Sequence, residues 1–184
     1  MDDKAASRRE SWWVLQAQCG SHEALNELFK SIQEPLFRYI VSLVKDQNKS
    51  EDILQEVFIR IYRGLGWLRE PEAFRAWTYR IASREAFRYL KREQRWDKQI
   101  RDETVLSAVP DGKRDEFPTE LQEILPQLIG SLSPASRAVV VLVYLHGMSL
   151  AESATVLDIP IGTAKSRLAY GLEKLRRNFE STER

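Results

Sequence analysis

Apolar residues recur at intervals of three and four along most of the chain, the spacing that one face of an α-helix requires. A first helical run covers residues 10–45, opened by Trp12, Trp13 and Leu15, interrupted at Gly20-Ser21, and resumed from Ala24 and Leu28 to Val44 with a break or kink at Pro35. After the polar turn Lys45–Lys49, Ser50 is placed to cap a helix with Glu51 and Asp52 in its first turn and Ile53, Leu54, Val57, Phe58 and Ile61 as its buried stripe. Gly64–Phe74 carries the glycine and proline punctuation of a loop, and a further helix is predicted from about Pro71 to Trp96. Periodicity then disappears over residues 97–118, which reads as a linker.

The pattern resumes with Leu121, Ile124, Leu125, Leu128 and Ile129, bent or restarted at Pro126. Ser133-Pro134 starts a helix that carries the Val-rich run to Leu145 and stops at Gly147. Ser149 and Glu152 then form the signature of a capping box, Ala154 is small where a second helix can cross, and Asp158–Gly162 breaks the helix. A last helix from near Thr163 runs through Leu168, Leu172, Leu175 and Phe179. The fold class is therefore all-α: two small helical domains, residues 1–96 and 119–184, joined by the flexible acidic linker 97–118.

Two faces bear on function. On the last helix Leu168, Leu172, Leu175 and Phe179 point inward, leaving Ser166, Tyr170, Glu173 and Arg177 outward, flanked by Lys165, Arg167, Lys174 and Arg176. A cationic, hydrogen-bonding outer face on the second helix of a helix-turn-helix suits a DNA major groove, and a merely solvated helical hairpin is the competing reading. On the helix after the loop, Arg80, Arg84, Arg88, Lys91 and Arg95 align along one stripe. Such a stripe extends about 22 Å, enough to follow several phosphates of a strand. Glu85 and Glu93 are too few to neutralise it, which favours a nucleic-acid partner over a solvated face.

Charge sharpens this picture. The net charge is +1, but residues 1–59 carry −3, residues 60–101 carry +7, residues 102–126 carry −5 and residues 127–184 carry +2. A basic block of this kind calls for a polyanion. The single cysteine, Cys19, excludes an internal disulfide; it reads as a buried thiol and makes no Cys-His pair with His22. No glycine-rich phosphate loop, metal-ligand cluster or nucleophile–base pair is recognisable, so no catalytic residue, metal, cofactor or small-molecule substrate is assigned. No apolar run reaches the ~20 residues of a membrane span, and a cytoplasmic location is the plain reading. Trp12, Trp13 and Trp77 read as packing residues, and His146 as a surface group at a helix end.

Four segments taken in order resemble the extracytoplasmic-function (ECF) sigma factors of the sigma-70 family, the minimal two-domain kind of bacterial transcription initiation factor. They are Ala24–Val44, Glu51–Phe58, Phe74–Ala82 and Gly147–Leu168. The resemblance implies a sigma region 2-like bundle followed by a region 4-like helix-turn-helix domain, with binding and no covalent chemistry as the mechanism. Asp52, Gln55 and Glu56 would bind the beta-prime subunit of core RNA polymerase, whose beta subunit is also an implied partner. Trp67, Arg69, Arg75, Arg80, Arg84, Arg88 and Lys91 would take the minus-10 promoter element, with Trp67 either stacking on a base or anchoring the loop. Thr163, Lys165, Ser166, Arg167, Ala169, Tyr170 and Lys174 would read the minus-35 element. An anti-sigma partner is implied as well. Arg84 stands where many members have Asn, and Tyr170 where Arg is common, so promoter preference does not transfer from a relative. A stand-alone helix-turn-helix regulator of operators is the rival, though no dimer surface or sensor domain is apparent.

Overall fold

The computed structural model describes residues 2–93 and 128–182; the expected linker, the helix around Leu121–Leu125, and Arg95 and Trp96 lie outside the described residues. Four helices form the first unit: α1 (Asp2–Gln18), α2 (His22–Val44), α3 (Gln47–Gly64) and α4 (Phe74–Arg92). Between α3 and α4 the chain makes two single 3-10 turns, Leu65–Trp67 and Pro71–Ala73. The second unit holds a 3-10 turn (Ile129–Ser131), α5 (Pro134–Tyr144), α6 (Leu150–Leu157) and α7 (Ile161–Thr182).

The apolar stripe of α2 (Leu28, Ile32, Leu36, Ile40 and Leu43) is the spine of the first unit, with α1, α3 and α4 packed around it. Val57 and Ile61 of α3 and Phe74, Ala82 and Ala86 of α4 close the core, and Phe29 stacks on Phe58 with ring centres 5.0 Å apart. Trp77 lies over Gly64, where a Cβ would meet its ring at 2.9 Å, so this indole is a packing residue. Pro35 neither breaks nor ends α2.

Every residue of α5 from Pro134 to Val143 is buried, because α5 packs on α6 and α7 on one side and on α2 on the other. A helix surrounded in this way needs no polar stripe, which explains the continuous Val-rich run. Its caps are those the sequence predicts, Ser133 accepting from the Ser136 N–H and Pro134 in the first turn. The two units are thus docked on each other, and α4 also packs on α6.

Arg137 holds much of that contact. Its buried guanidinium donates to Ile129 O (2.9 Å), Gly130 O (3.3 Å) and Leu132 O (2.5 Å) in its own unit. It also donates to Ser42 O (3.0 Å) and Leu43 O (3.1 Å) in the last turn of α2. Helix C-termini leave carbonyls without partners and carry negative dipole charge, so a cation is favoured there. Burial pulls the Arg137 pKa down to about 10, which still leaves it charged at neutral pH. Nearby, Lys45 Nζ bonds Gly130 O.

Aromatic groups complete the junction. Tyr79 Oη and His146 Nδ1 are 2.7 Å apart, and Tyr39 Oη and Ser83 Oγ are 2.8 Å apart behind them. His146 is therefore not a dipole-stabilised surface cation: burial, then the charges of Arg75 and Arg38, lower its pKa to about 4 and keep it neutral. The partner that removes it from the surface lies 67 positions away in sequence.

Other local expectations change too. Asp46, not Ser50, caps α3, accepting from the Lys49 N–H at 3.0 Å, while Ser50 is buried and donates to Asp46 O. Cys19 is exposed, since α1 ends at Gln18, and Trp12 is largely exposed whereas Trp13 packs on the core. In the helix-turn-helix the capping box of Ser149 and Glu152 is complete. The left-handed residue that turns the chain is Asp158 (φ 58°) and not Gly162, which sits inside α7.

Two outcomes follow from this packing. Arg137→Ala should lower unfolding stability by about 2–4 kcal/mol, because it strands buried carbonyls, and Arg137→Lys should recover less than half, lacking the fork; denaturant titration measures both. Hydrogen bonds from the Ser149 hydroxyl and then its N–H hold the Glu152 carboxyl below the usual range. A depressed carboxyl stabilises the fold above its unfolded pKa, and that contribution is lost as pH falls through the folded value. Ser149→Ala should therefore cost about 1 kcal/mol at neutral pH. That cost should shrink once the pH drops below about 4, which denaturation across pH will show.

Candidate protein and nucleic-acid interfaces

The inner stripe of α3 fixes what its outer face presents. With Ile53, Leu54, Val57 and Ile61 turned inward, Asp52 and Gln55 are exposed and Glu56 is half-buried on the opposite side. Asp52 lies 3.7 Å from Lys49 and Glu56 2.9 Å from Arg60, both pairs within the helix. Ile59 and Tyr62 are exposed on this same face. Sequence reasoning sets Ile59 off the buried stripe with the acids but gives neither residue a role; the available signal was two large apolar residues at helical spacing from the acids.

The turn after α3 is held from two sides. Leu65 is buried, and the Gln18 side-chain amide of α1 donates to Leu65 O and Leu68 O, each at 2.8 Å. Leu65 thus anchors the turn, while Trp67 projects with 86% of its surface exposed. Arg69 is exposed beyond it. An indole on a braced turn loses little entropy when a flat partner stacks on it.

Along α4 the cations differ in surroundings. Arg84, Arg88 and Lys91 are exposed and Arg80 is half-buried. Arg75 donates to His146 O at 3.3 Å. Arg80 Nη2 and Arg84 Nη2 each lie 3.2 Å from a different oxygen of Asp158, the turn residue of the helix-turn-helix. Arg88 pairs with Glu85 at 2.5 Å, and Glu85, itself buried, also meets Arg60 Nε at 2.9 Å. The stripe is therefore more fully paired than its own helix predicts. Two of the neutralising contacts come from a carboxylate more than 70 residues away, which no local pattern reveals.

On α7, Ala164, Gly171 and Leu175 are buried and Leu168 is half-buried against the core. A Cβ on Gly171 would meet Val140 of α5 at 2.8 Å, so the two helices cross at close range. Lys165 is exposed, and Thr163, Ser166, Arg167, Ala169, Tyr170 and Lys174 are half-buried along the remaining faces. Ser166 Oγ donates to Thr163 O at 3.0 Å, and Lys174 Nζ lies 6.0 Å from the centre of the Tyr170 ring. Among the described residues no helix is long and apolar enough to cross a membrane.

Comparison with known proteins assigns the chain to a family. Residues 28–96 match the family model "Sigma-70 region 2" and residues 128–177 match "Sigma-70, region 4". The RNA polymerase sigma-H factor of Pseudomonas aeruginosa is 30% identical over 172 residues, covering 88% of this chain and 89% of that protein. The ECF sigma factor SigW of Bacillus subtilis is 29% identical over 176 residues, covering 90% and 94%. The ECF sigma-E factor of Escherichia coli is 30% identical over 172 residues, covering 88% and 90%. Among solved structures, CnrH in complex with the cytosolic domain of CnrY superposes with a TM-score of 0.66 at 22% identity, over 94% of this chain and 98% of that one. Sigma factor RpoE of Bartonella quintana, in complex with the anti-sigma factor NepR, gives 0.63 at 20% identity, over 84% and 96%. Two sigma modules in order, on a chain that spans nearly the whole of these relatives, set it apart from stand-alone operator-binding regulators: the chain belongs to the sigma-70 family as an ECF sigma factor, an alternative sigma factor for transcription initiation.

Proposed function

We propose that the chain performs this role by binding alone, through three separate surfaces, in the cytoplasm where polymerase and promoter meet. Residues 1–96 dock on core RNA polymerase and hold the minus-10 element, and residues 119–184 read the minus-35 element, with 97–118 as the tether. The outer face of α3 binds the beta-prime clamp helices: Asp52, Gln55 and Glu56 supply charge and amide groups, and Ile59 and Tyr62 supply apolar contact. An apolar patch rimmed by charge is what a protein interface offers, and exposure of this face is the observation that carries the reading.

Trp67, on its braced turn, stacks on an unpaired base of the melted minus-10 region, with Arg69 beside it. Arg75, Arg80, Arg84, Arg88 and Lys91 run along the phosphates of that strand. Separating a base from the stack costs a few kcal/mol, and stacking on an aromatic side chain returns about 1–3 kcal/mol, so capture offsets much of the cost of opening. Thr163, Lys165, Ser166, Arg167, Ala169, Tyr170 and Lys174 on α7 contact the minus-35 duplex in its major groove. The complex of RpoE with NepR supports an anti-sigma partner for this chain too.

Run-off transcription by purified core polymerase on pooled genomic promoter fragments tests the function. Added protein should create new start sites that share two spaced elements; no new transcripts and no binding to core would overturn the reading. Replacing Asp52 and Ile59 together with Ala should weaken binding to core at least about tenfold, or ~1.4 kcal/mol, without altering the fold. Trp67→Ala should leave core binding intact and reduce open-complex formation by about 5- to 100-fold, read by permanganate reactivity of the melted strand.

A further inference from the structure

We propose that Lys45 is a covalent modification site: its side-chain amine takes the acyl group of a small acyl phosphate. The inference is independent of the polymerase and promoter readings above. Lys45 follows the last turn of α2 in the left-handed conformation (φ 61°) and is exposed at the rim of the junction. Its Nζ bonds Gly130 O, and a Cβ on Gly130 would meet that nitrogen at 3.6 Å, so the amine is held against the second unit.

The surroundings of this amine set it apart. Lys30 Nζ lies 2.8 Å from a Glu27 oxygen and Lys49 Nζ 3.7 Å from an Asp52 oxygen. Among the described residues Lys45 pairs with no carboxylate; its partner is a neutral carbonyl. Asp46, next in the chain, directs its carboxylate to the Lys49 N–H at the start of α3. Arg137 Nη2 donates to the same Gly130 O at 3.3 Å, so two cations share one acceptor. A lysine at a helix C-terminus ordinarily gains from the end carbonyls, but Arg137 already takes Ser42 O and Leu43 O. Burial, and then the Arg137 charge, accordingly hold the Lys45 ammonium below the usual lysine range.

An amine beside another cation is a better nucleophile at neutral pH, because more of it is unprotonated. The neutral amine keeps one N–H on Gly130 O and turns its lone pair to solvent, so the carbonyl holds the group without blocking it. That lone pair attacks the acyl carbonyl carbon. The C–N bond forms as the C–O bond to phosphate breaks; phosphate leaves with the bonding electrons, and the surplus proton of the amine passes to water. An acyl phosphate is an anion, so the positive charge around Lys45 favours its approach. The product is a neutral amide with one N–H still available to Gly130 O, and Arg137 becomes the only cation on that carbonyl among the described residues.

Incubation of the full chain with acetyl phosphate, followed by peptide mass spectrometry, reads the initial rate of acetylation at each lysine. Lys45 should react at least about threefold faster than Lys30 and Lys49. The same comparison in denaturing urea separates the folded surroundings from the local sequence, and there the advantage should fall to none. A folded chain in which Lys45 reacts no faster than Lys30 and Lys49 overturns the proposal. So does an advantage that persists in urea, since the junction would then have no part in it. Lys45→Arg keeps the charge and the donor to Gly130 O and removes the nucleophile; the fast site should vanish while the rates at Lys30 and Lys49 stay as they were. A fast site that survives this substitution lies elsewhere and refutes the assignment.

Discussion

The docked arrangement depends above all on one buried cation. Arg137 brings a full positive charge into the junction, and the cost of removing it from water is met by carbonyl dipoles from both units at once. Its planar fork satisfies the end of α2 and the turn preceding α5 in a single geometry, which a point charge on a flexible stem does not do. The apolar contacts around it are non-directional; Arg137 gives the junction its register. Tyr79, His146 and the Arg80–Asp158–Arg84 bridge fall into place along α4 as a result of that alignment.

Helices were legible in the sequence because each carries its own punctuation. The Ser149–Glu152 box, Ser133-Pro134 and the stripes of α2 and α3 are local signals, and the structure keeps them. Errors of a residue or a few arose where two local candidates competed: Asp46 prevailed over Ser50 as a cap because Ser50 is needed inside, buried. The acidic face of α3 and the cationic stripe of α4 were visible for the same reason. What the sequence does not disclose is the junction. Nothing local singles out Arg137, His146 reads as a surface histidine and Asp158 as part of a helix break, since their partners across the junction lie 67 to 95 positions away.

Charge along the chain takes on a different meaning once folded. The +7 block of residues 60–101 reads as an open invitation to a polyanion. Within the described part of that block Glu85, already counted in the balance, serves Arg60 and Arg88, and Asp158 of the second unit adds a carboxylate from outside it. A nearly neutral protein with its cations held by its own carboxylates has weak long-range attraction for bulk DNA.

Gly171 has a consequence for how such a protein changes over time. Because α7 crosses α5 with no room for a Cβ, the seat of α7 is set by its inner face. Its outer residues, Tyr170 among them, carry little of that packing. Substitutions there can accumulate without shifting the helix on its base. If the outer face of α7 reads the promoter as proposed, promoter preference and structural integrity are separable traits, and a duplicated copy of this chain could drift to a new set of promoters while keeping its fold.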